Sequence, residues 1–319
     1  MPLRIALQMD ALERLYKPLD STLELARAAV ERGDELFHYE PSGLRMDIAA
    51  GGTRVTAKVH RLVYDKRNPD PWSLGEESVA DASEFDVILM RQDPPFDLSY
   101  ITATHILEHL KDRVRIINDP VGVRNAPEKL LITYVPHLMP PTLIARDREA
   151  IETFRTEHRD IIIKPLHGYA GHGIFHLRPG DDNLPGLLET LATINNEPWM
   201  VQKFLPITEW GDKRIVVLNG EPVGSFRRMP AAGDVRGNMR VGGRPEKAEL
   251  TRRDQEICAT LAPMLRERGL FLAGIDVIGD YLTEINVTSP TGLIVADQLE
   301  GRTGQDRIAE RFWRFVDGR

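Results

Sequence analysis

The stretch Ile275-Asp276-Val-Ile-Gly279-Asp-Tyr-Leu-Thr-Glu284-Ile-Asn286 reads as two short strands around a Gly-Asp turn. Glu284 and Asn286 stand at i and i+2, so on a strand their oxygens share one face. Asp276 joins them in only one kind of pairing. A plain two-residue turn at Gly279-Asp280 sets Asp276 opposite Thr283, on the other face. A three-residue loop over Gly279 to Tyr281, or a bulge, sets it opposite Glu284 instead. Three hard oxygen donors of this kind suit Mg²⁺, which keeps waters and shares substrate phosphates. A solvated strand face is the competing reading, although acids and Asn are poor strand formers.

Working outward, Thr251 caps a helix that runs to Arg268 and stops at Gly269, and Asp306 to Val316 makes a terminal helix. Before the hairpin, strand Arg214 to Leu218 precedes a polar, glycine-rich stretch from Met229 to Arg244, far longer than ordinary connections. Upstream lie strand Trp199 to Phe204, helix Leu184 to Thr193 and strand Ile174 to Leu177. The loop Gly168-Tyr-Ala-Gly171-His-Gly173, strand Ile161 to Lys164 and a helix from Asp147 to His158 come before them. Pro127 to Val135 reads as a helix opened by proline, followed by a Pro-rich link to Pro141. The first part alternates strands and helices. Strands fall at Leu3 to Met9, Glu35 to Tyr39, Thr53 to Tyr64, Phe85 to Met90 and Val114 to Ile117, with helices from Ser21 to Gly33 and Ser99 to Leu110. That alternation predicts a mainly parallel α/β unit up to about Asn118.

The chain has 319 residues with 41 Lys and Arg against 48 Asp and Glu, a formal net charge of −7. Its length suggests two or three domains at ~100–200 residues each. The acidic balance argues against a general nucleic-acid binder, while leaving room for a local basic pocket. No apolar run reaches the ~18 residues of a membrane span, and the start Met1 to Asp10 lacks the features of a signal peptide. A soluble, cytoplasmic protein is expected. One cysteine excludes an internal disulfide and cysteine-based metal sites.

Among residues able to do chemistry, Lys164 ends a strand beside the glycine-rich loop, where an ammonium and backbone N–H groups together hold phosphate. Lys129 is a second such candidate. His167, His172 and His176 are spaced along a loop and strand that do not bring them together, which argues against zinc. Arg214, Arg228, Arg236, Arg240 and Arg244 lie on or around the long loop. Arginine forks bind phosphate and carboxylate, and a mobile loop carrying them forms a lid; a solvated loop is the competing reading. Cys258 faces Leu261 and Leu265 on its helix and reads as core. No nucleophile motif is present, so covalent enzyme catalysis is not expected.

Together these pieces resemble the ATP-grasp superfamily, and within it the prokaryotic glutathione synthetases. The segments that carry the resemblance are Val87-ILMRQDPPFD-Leu98, Asn125-APEKL-Leu131, Ile163-KPLHG-Tyr169, Gly211-DKRIVVLNGEPV-Gly224, Arg236-GNMRVGG-Arg244 and Gly274-IDVIGDYLTEINVTSPT-Gly292. The resemblance implies an α/β, ATP-grasp fold. Residues 1–122 would form a Rossmann-like N-terminal domain, 123–205 a small central lid domain, and 206–319 a C-terminal α+β domain. It implies ligation of γ-glutamylcysteine and glycine to glutathione through an acyl phosphate, with ATP giving ADP and phosphate. The alternative is another ATP-grasp carboxylate–amine ligase with a different amino-acid acceptor. It further implies that Lys129, Lys164, Gly168 and Gly171 hold the ATP phosphates. Gln202, Lys203, Phe204 and Leu205 would line the adenine hinge, and Asp212 would lie near the ribose. Asp276, Glu284 and Asn286 would carry Mg²⁺ or Mn²⁺. Arg214, Arg228 and Arg236 would be catalytic, and Arg91, Ser289, Pro290 and Thr291 would face the peptide and glycine. A homotetramer is the implied assembly.

Overall fold

Three β-sheets carry the chain in a computed structural model that describes residues 2–194 and 196–318. The first sheet contains β1 (Arg4–Gln8), β2 (Glu35–Tyr39), β3 (Leu44–Ala49), β4 (Gly52–Tyr64), β5 (Trp72–Asp81), β6 (Val87–Met90) and β7 (Arg115–Ile117). Its order is β3-β4-β2-β1-β6-β7, with β5 paired to β4. β2, β1, β6 and β7 are parallel, and β3, β4 and β5 form the antiparallel part. The fully buried β6 fits the continuous apolar run of a strand covered on both sides. Asp20 caps the helix Ser21–Glu31 by accepting from Leu23 N–H at 2.8 Å, and that helix turns Leu25, Ala26, Ala28 and Ala29 inward.

The second sheet is a small antiparallel unit of β8 (Thr142–Ala145), β9 (Ile161–Pro165), β10 (Phe175–Leu177) and β11 (Trp199–Lys203), in the order β10-β9-β11-β8. It has its own core of Ile151, Ile161, Ile163, Leu177, Leu184, Leu191, Trp199 and Val201. The third sheet, β14-β13-β12-β15-β16, comprises β12 (Asp212–Leu218), β13 (Glu221–Met229), β14 (Arg244–Lys247), β15 (Leu272–Ile278) and β16 (Tyr281–Asn286). Its core is continuous with that of the first sheet, since Ala6 and Ile88 belong to the same cluster as Ile215, Ile275 and Ile285. Asn118 joins the two: its Nδ2 donates to Leu272 O and Val287 O, both at 2.8 Å, and its Oδ1 accepts from Leu272 N–H. Among the described residues no helix is long and apolar enough to cross a membrane.

One expected element is not there. Pro127 to Val135 is a turn followed by a 3-10 helix, Leu131–Tyr134. The Glu128 carbonyl accepts from Ile285 N–H of β16 at 3.2 Å, and Thr133 and Val135 bond to the residue three positions before each. A tertiary bond has taken the acceptor on which an α-helix would have continued.

Candidate active site

The hairpin β15–β16 turns tightly, Ile278 opposite Tyr281, and then shifts register between Asp276 and Val277, so that Asp276 pairs with Glu284. The bulged residue is Thr283, whose hydroxyl donates to Asp276 O at 3.1 Å. A two-residue turn plus a bulge thus achieves what a longer loop would have done. Gly279 makes the turn possible: its φ is +60°, and a Cβ there would meet the Trp210 ring at 2.5 Å.

Neighbouring strands crowd this face with charge. Arg214 of β12 lies opposite Asp276, and Arg228 of β13 lies opposite Asp212. Arg214 grips Asp276 with both sides of its fork, Nε to Oδ1 at 2.6 Å and an Nη to Oδ2 at 3.0 Å. Arg228 bridges Asp212 and Asp276, the latter at 3.0 Å. Burial by itself would raise the Asp276 pKa, but the two guanidinium charges outweigh it and hold the carboxyl at about 2. Asp212 goes the other way. Burial pushes it to about 6 despite Arg228, with the Asp276 charge adding to the rise. Its Oδ1 has no hydrogen-bond partner among the described residues.

Two lysines face the same carboxylates from other elements. Lys164 is the penultimate residue of β9, and Lys129 follows Pro127 by two positions; their Nζ atoms stand 3.7 and 3.6 Å from Glu284 Oε1. Lys129 also donates to the Gly168 carbonyl of the glycine-rich loop. Desolvation lowers the Lys164 pKa, with Glu284 opposing it. Burial would raise Glu284, but Lys129 and Lys164 outweigh it and keep it ionised. Asp276, Glu284 and Asn286 are chemically suited to a divalent cation, being two ionised carboxylates and an amide. Asn286 Nδ2 is spent on Gly274 O and Asp276, both at 3.1 Å, which leaves its Oδ1 as a donor for a cation. Among the described residues no three His, Cys, Asp or Glu side chains form a cage by themselves.

Lys129, Lys164, Asp212, Asp276 and Glu284 come together in a cleft between the second and third sheets. Lys129, Lys164, Gly168, Gly171, Gln202, Lys203, Phe204, Leu205, Asp212, Arg236, Asp276 and Glu284 all line it. So do Ile162, Ile174, Ile207 and Ile278, an apolar slot beside the segment after β11. In that segment the N–H groups of Lys203 and Phe204 are bonded to Pro141 O and Asp160 O, at 3.0 and 2.9 Å. That of Leu205 has no acceptor among the described residues. The three histidines do not converge: His176 bonds Asp160 at 2.6 Å and stacks on Phe204, whereas His167 stacks on Phe96.

A second cavity adjoins the cleft and shares Glu284 with it. Arg214, Arg228, Asn286, Ser289, Pro290 and Thr291 line this one, together with Asp93, Glu128 and Thr288. The loop after β13 covers both. Arg236, Gly237 and Asn238 face the cleft, and Asn238, Met239 and Arg240 face the second cavity. Arg91 stands apart from the expected set, because it lines neither cavity. It is buried, donating to Thr22 Oγ1 and Pro290 O, both at 3.0 Å, and so braces the Ser289-Pro290-Thr291 turn from beneath. Glu128 is the residue that sequence reasoning missed. Its carboxyl accepts from Thr288 at 3.1 Å, and burial pushes its pKa to about 7, against the pull of Lys129. It stands beside Lys129 in the segment expected to be a helix, and nothing in its local sequence marks it.

Known proteins agree with this architecture. A family model for the N-terminal domain of prokaryotic glutathione synthetase matches residues 3–124, and one for its ATP-grasp domain matches residues 128–301. Curated glutathione synthetases of Brucella melitensis and Mesorhizobium japonicum are 47% and 48% identical over 319 residues, covering 100% of this chain and 100% and 99% of theirs. Among solved structures, the D-cycloserine synthetase DcsG superposes with a TM-score of 0.69 at 14% identity, covering 99% of both chains. The ATP-grasp ligase PsnB, complexed with a minimal precursor, Mg and ADP, gives 0.59 at 15%, covering 99% of this chain and 97% of its own. At such identities the structural likeness speaks for the ATP-grasp fold alone. Matched by both domain models and nearly half identical end to end to curated members, the chain belongs to the prokaryotic glutathione synthetase family.

Proposed function

We propose that this chain is an ATP-dependent ligase that joins γ-glutamylcysteine to glycine, with the nucleotide in the cleft and the dipeptide in the second cavity. The observation that carries the assignment is the wall the two spaces share at Glu284, which brings a phosphate in one within reach of a carboxylate in the other. The apolar slot takes the adenine ring, and the free Leu205 N–H reads its edge. Lys129 and Lys164 give up Glu284 for the phosphates, and Gly168 and Gly171 let the loop backbone approach them. Asp276, Glu284 and Asn286 would hold Mg²⁺ or Mn²⁺, which when bound supplies neutralising charge to the phosphates.

A cysteinyl carboxylate oxygen then attacks the γ-phosphorus, the bond to the β-phosphate oxygen breaks, and ADP leaves. Arg214 and Arg228, fixed beforehand by Asp276 and Asp212, face the charge that develops, so little reorganisation is needed at the moment of reaction. The neutral amine of glycine attacks the acyl carbon, expels phosphate and releases a proton as the amide forms. Arg236 and the loop over both cavities keep water from the acyl phosphate. No enzyme nucleophile enters the sequence of bonds, in keeping with Cys258 being buried and its thiol raised to about 12. Arg91 acts one step removed, by holding the Pro290 turn against the dipeptide.

ADP release measured with γ-glutamylcysteine and each common amino acid tests the assignment. Glycine-dependent turnover is expected. Turnover with another amino acid, and none with glycine, would move the chain to a different acceptor. The expected homotetramer is checked by sedimentation velocity.

A further inference from the structure

β1 sits where the strand order of the first sheet reverses, with β2 on one side and β6 on the other. In open α/β sheets ligands bind in the crevice at the carboxyl ends of the strands flanking such a reversal. Here those ends lead into Asp10 and Asp93. The Asp93 N–H donates to Asp10 Oδ2 at 2.8 Å, and the Asp93 side chain lines the second cavity. Its carboxylate accepts from Arg240, 147 residues away on the covering loop, which lines the same cavity. The pair is open to solvent, with side-chain exposures of 29% and 63%. An ion pair so exposed contributes little by itself and is readily exchanged for a ligand's charges. The other charged groups of this cavity are already committed. Arg214 and Arg228 hold Asp276, Glu284 faces two lysines, and Glu128 is bonded to Thr288.

We propose that Asp93 and Arg240 form the subsite for the α-amino-acid end of the dipeptide, Asp93 taking the ammonium and Arg240 the α-carboxylate. The proposal rests on the functional reading above and adds to it the source of substrate selectivity. One internal ion pair is exchanged for two with the ligand, a match that only a zwitterion satisfies. A dipeptide lacking either charge leaves one member of the pair without its new partner.

The test uses the full-length enzyme with ATP, glycine and three substrates. These are γ-glutamylcysteine, glutarylcysteine (no α-amino group) and 4-aminobutyrylcysteine (no α-carboxylate). The wild type should lose roughly 30-fold or more in kcat/KM on each analogue, the scale of a charged hydrogen bond. Asp93→Asn should lose a similar factor on γ-glutamylcysteine yet change less than about threefold on glutarylcysteine. Arg240→Gln should do the same with 4-aminobutyrylcysteine as its indifferent substrate. Asp93→Glu and Arg240→Lys should recover part of each loss, and KM for ATP should stay put. If each variant lowers all three substrates by one common factor, or the wild type accepts the analogues as well as the dipeptide, the subsite is refuted while the ligase assignment stands. If the wild type makes no peptide from γ-glutamylcysteine and glycine, the assignment itself fails and the subsite falls with it.

Discussion

Replacing Glu284 with Gln removes one negative charge from between two lysines and keeps the side chain's size. With Nζ atoms at 3.6 and 3.7 Å, a phosphate taken up by the same lysines comes to lie near the carboxylate. Two unit charges about 6 Å apart interact by roughly 3 kcal/mol at an effective dielectric of about 20. Metal-free ADP should therefore bind E284Q up to about 100-fold more tightly than the wild type. With Mg²⁺ present the sign reverses for catalysis, because one of the anchors proposed for the cation is gone. We expect kcat to fall by roughly 10²-fold or more, the scale of losing one preorganised electrostatic contact. Calorimetric titration of ADP with EDTA and with Mg²⁺, beside steady-state kinetics, reads both effects. Mildly acidic buffer suits the titration, since the variant lacks the anion that opposes the fall in the Lys164 pKa. A folded variant whose metal-free ADP affinity is unchanged or weaker, and whose kcat stays at the wild-type value, would refute the role assigned to Glu284.

Asp276→Asn leaves two buried guanidinium groups without their shared carboxylate, so unfolding in urea should show a loss of about 3–5 kcal/mol; a loss below about 1 kcal/mol would contradict the charge arrangement described. Gly237→Ala sets a Cβ 2.9 Å from Asp212 Cβ and 3.1 Å from the Arg228 carbonyl. Overpacking on the order of 1–2 kcal/mol should hold the loop off the site, lowering kcat about tenfold and raising the ADP formed per peptide. Unchanged coupling would mean that the loop does not guard the intermediate. Asp297 is raised by burial to about 6 in the folded protein, against the pull of Ile308 N–H and Arg302. Its folded form binds the proton more tightly than the unfolded chain, so wild-type stability declines as pH rises from near the unfolded value to about 6. Asp297→Asn does not titrate and should gain up to about 3 kcal/mol relative to wild type between about pH 4 and pH 7; urea unfolding at both ends of that window checks it, and a flat difference would count against it.

Much of this was readable before any coordinates. Two short strands around Gly279-Asp280 marked the β15–β16 hairpin, and the i, i+2 spacing put Glu284 and Asn286 on one face. What could not be read was the bulge at Thr283, because turn chemistry at Gly279-Asp280 permits either register and only pairing against β12 decides. The same cross-strand register hid the coupling of Arg214 with Asp276 and of Arg228 with Asp212, residues 62 and 16 apart in sequence. β5 escaped notice because most of it is exposed and it lacks the alternation of a half-buried strand. β13 and β8 were passed over between a clear strand and a long loop, and beside a Pro-rich link. The supposed helix at Pro127 had good local signals, and a single bond from Ile285 to the Glu128 carbonyl overrode them. Arg91 looked like a ligand for substrate; its burial under Pro290 follows from contacts 199 residues distant, beyond the reach of local pattern.

In the proposed reaction a carboxylate attacks phosphorus across the wall at Glu284, and the fate of that carboxylate's oxygen tests this step most directly. γ-Glutamylcysteine labelled with oxygen-18 in the cysteinyl carboxylate, turned over with ATP and glycine, should yield phosphate carrying one labelled oxygen per peptide formed. Phosphate free of label, alongside normal peptide formation, would contradict an acyl phosphate and the site built around it.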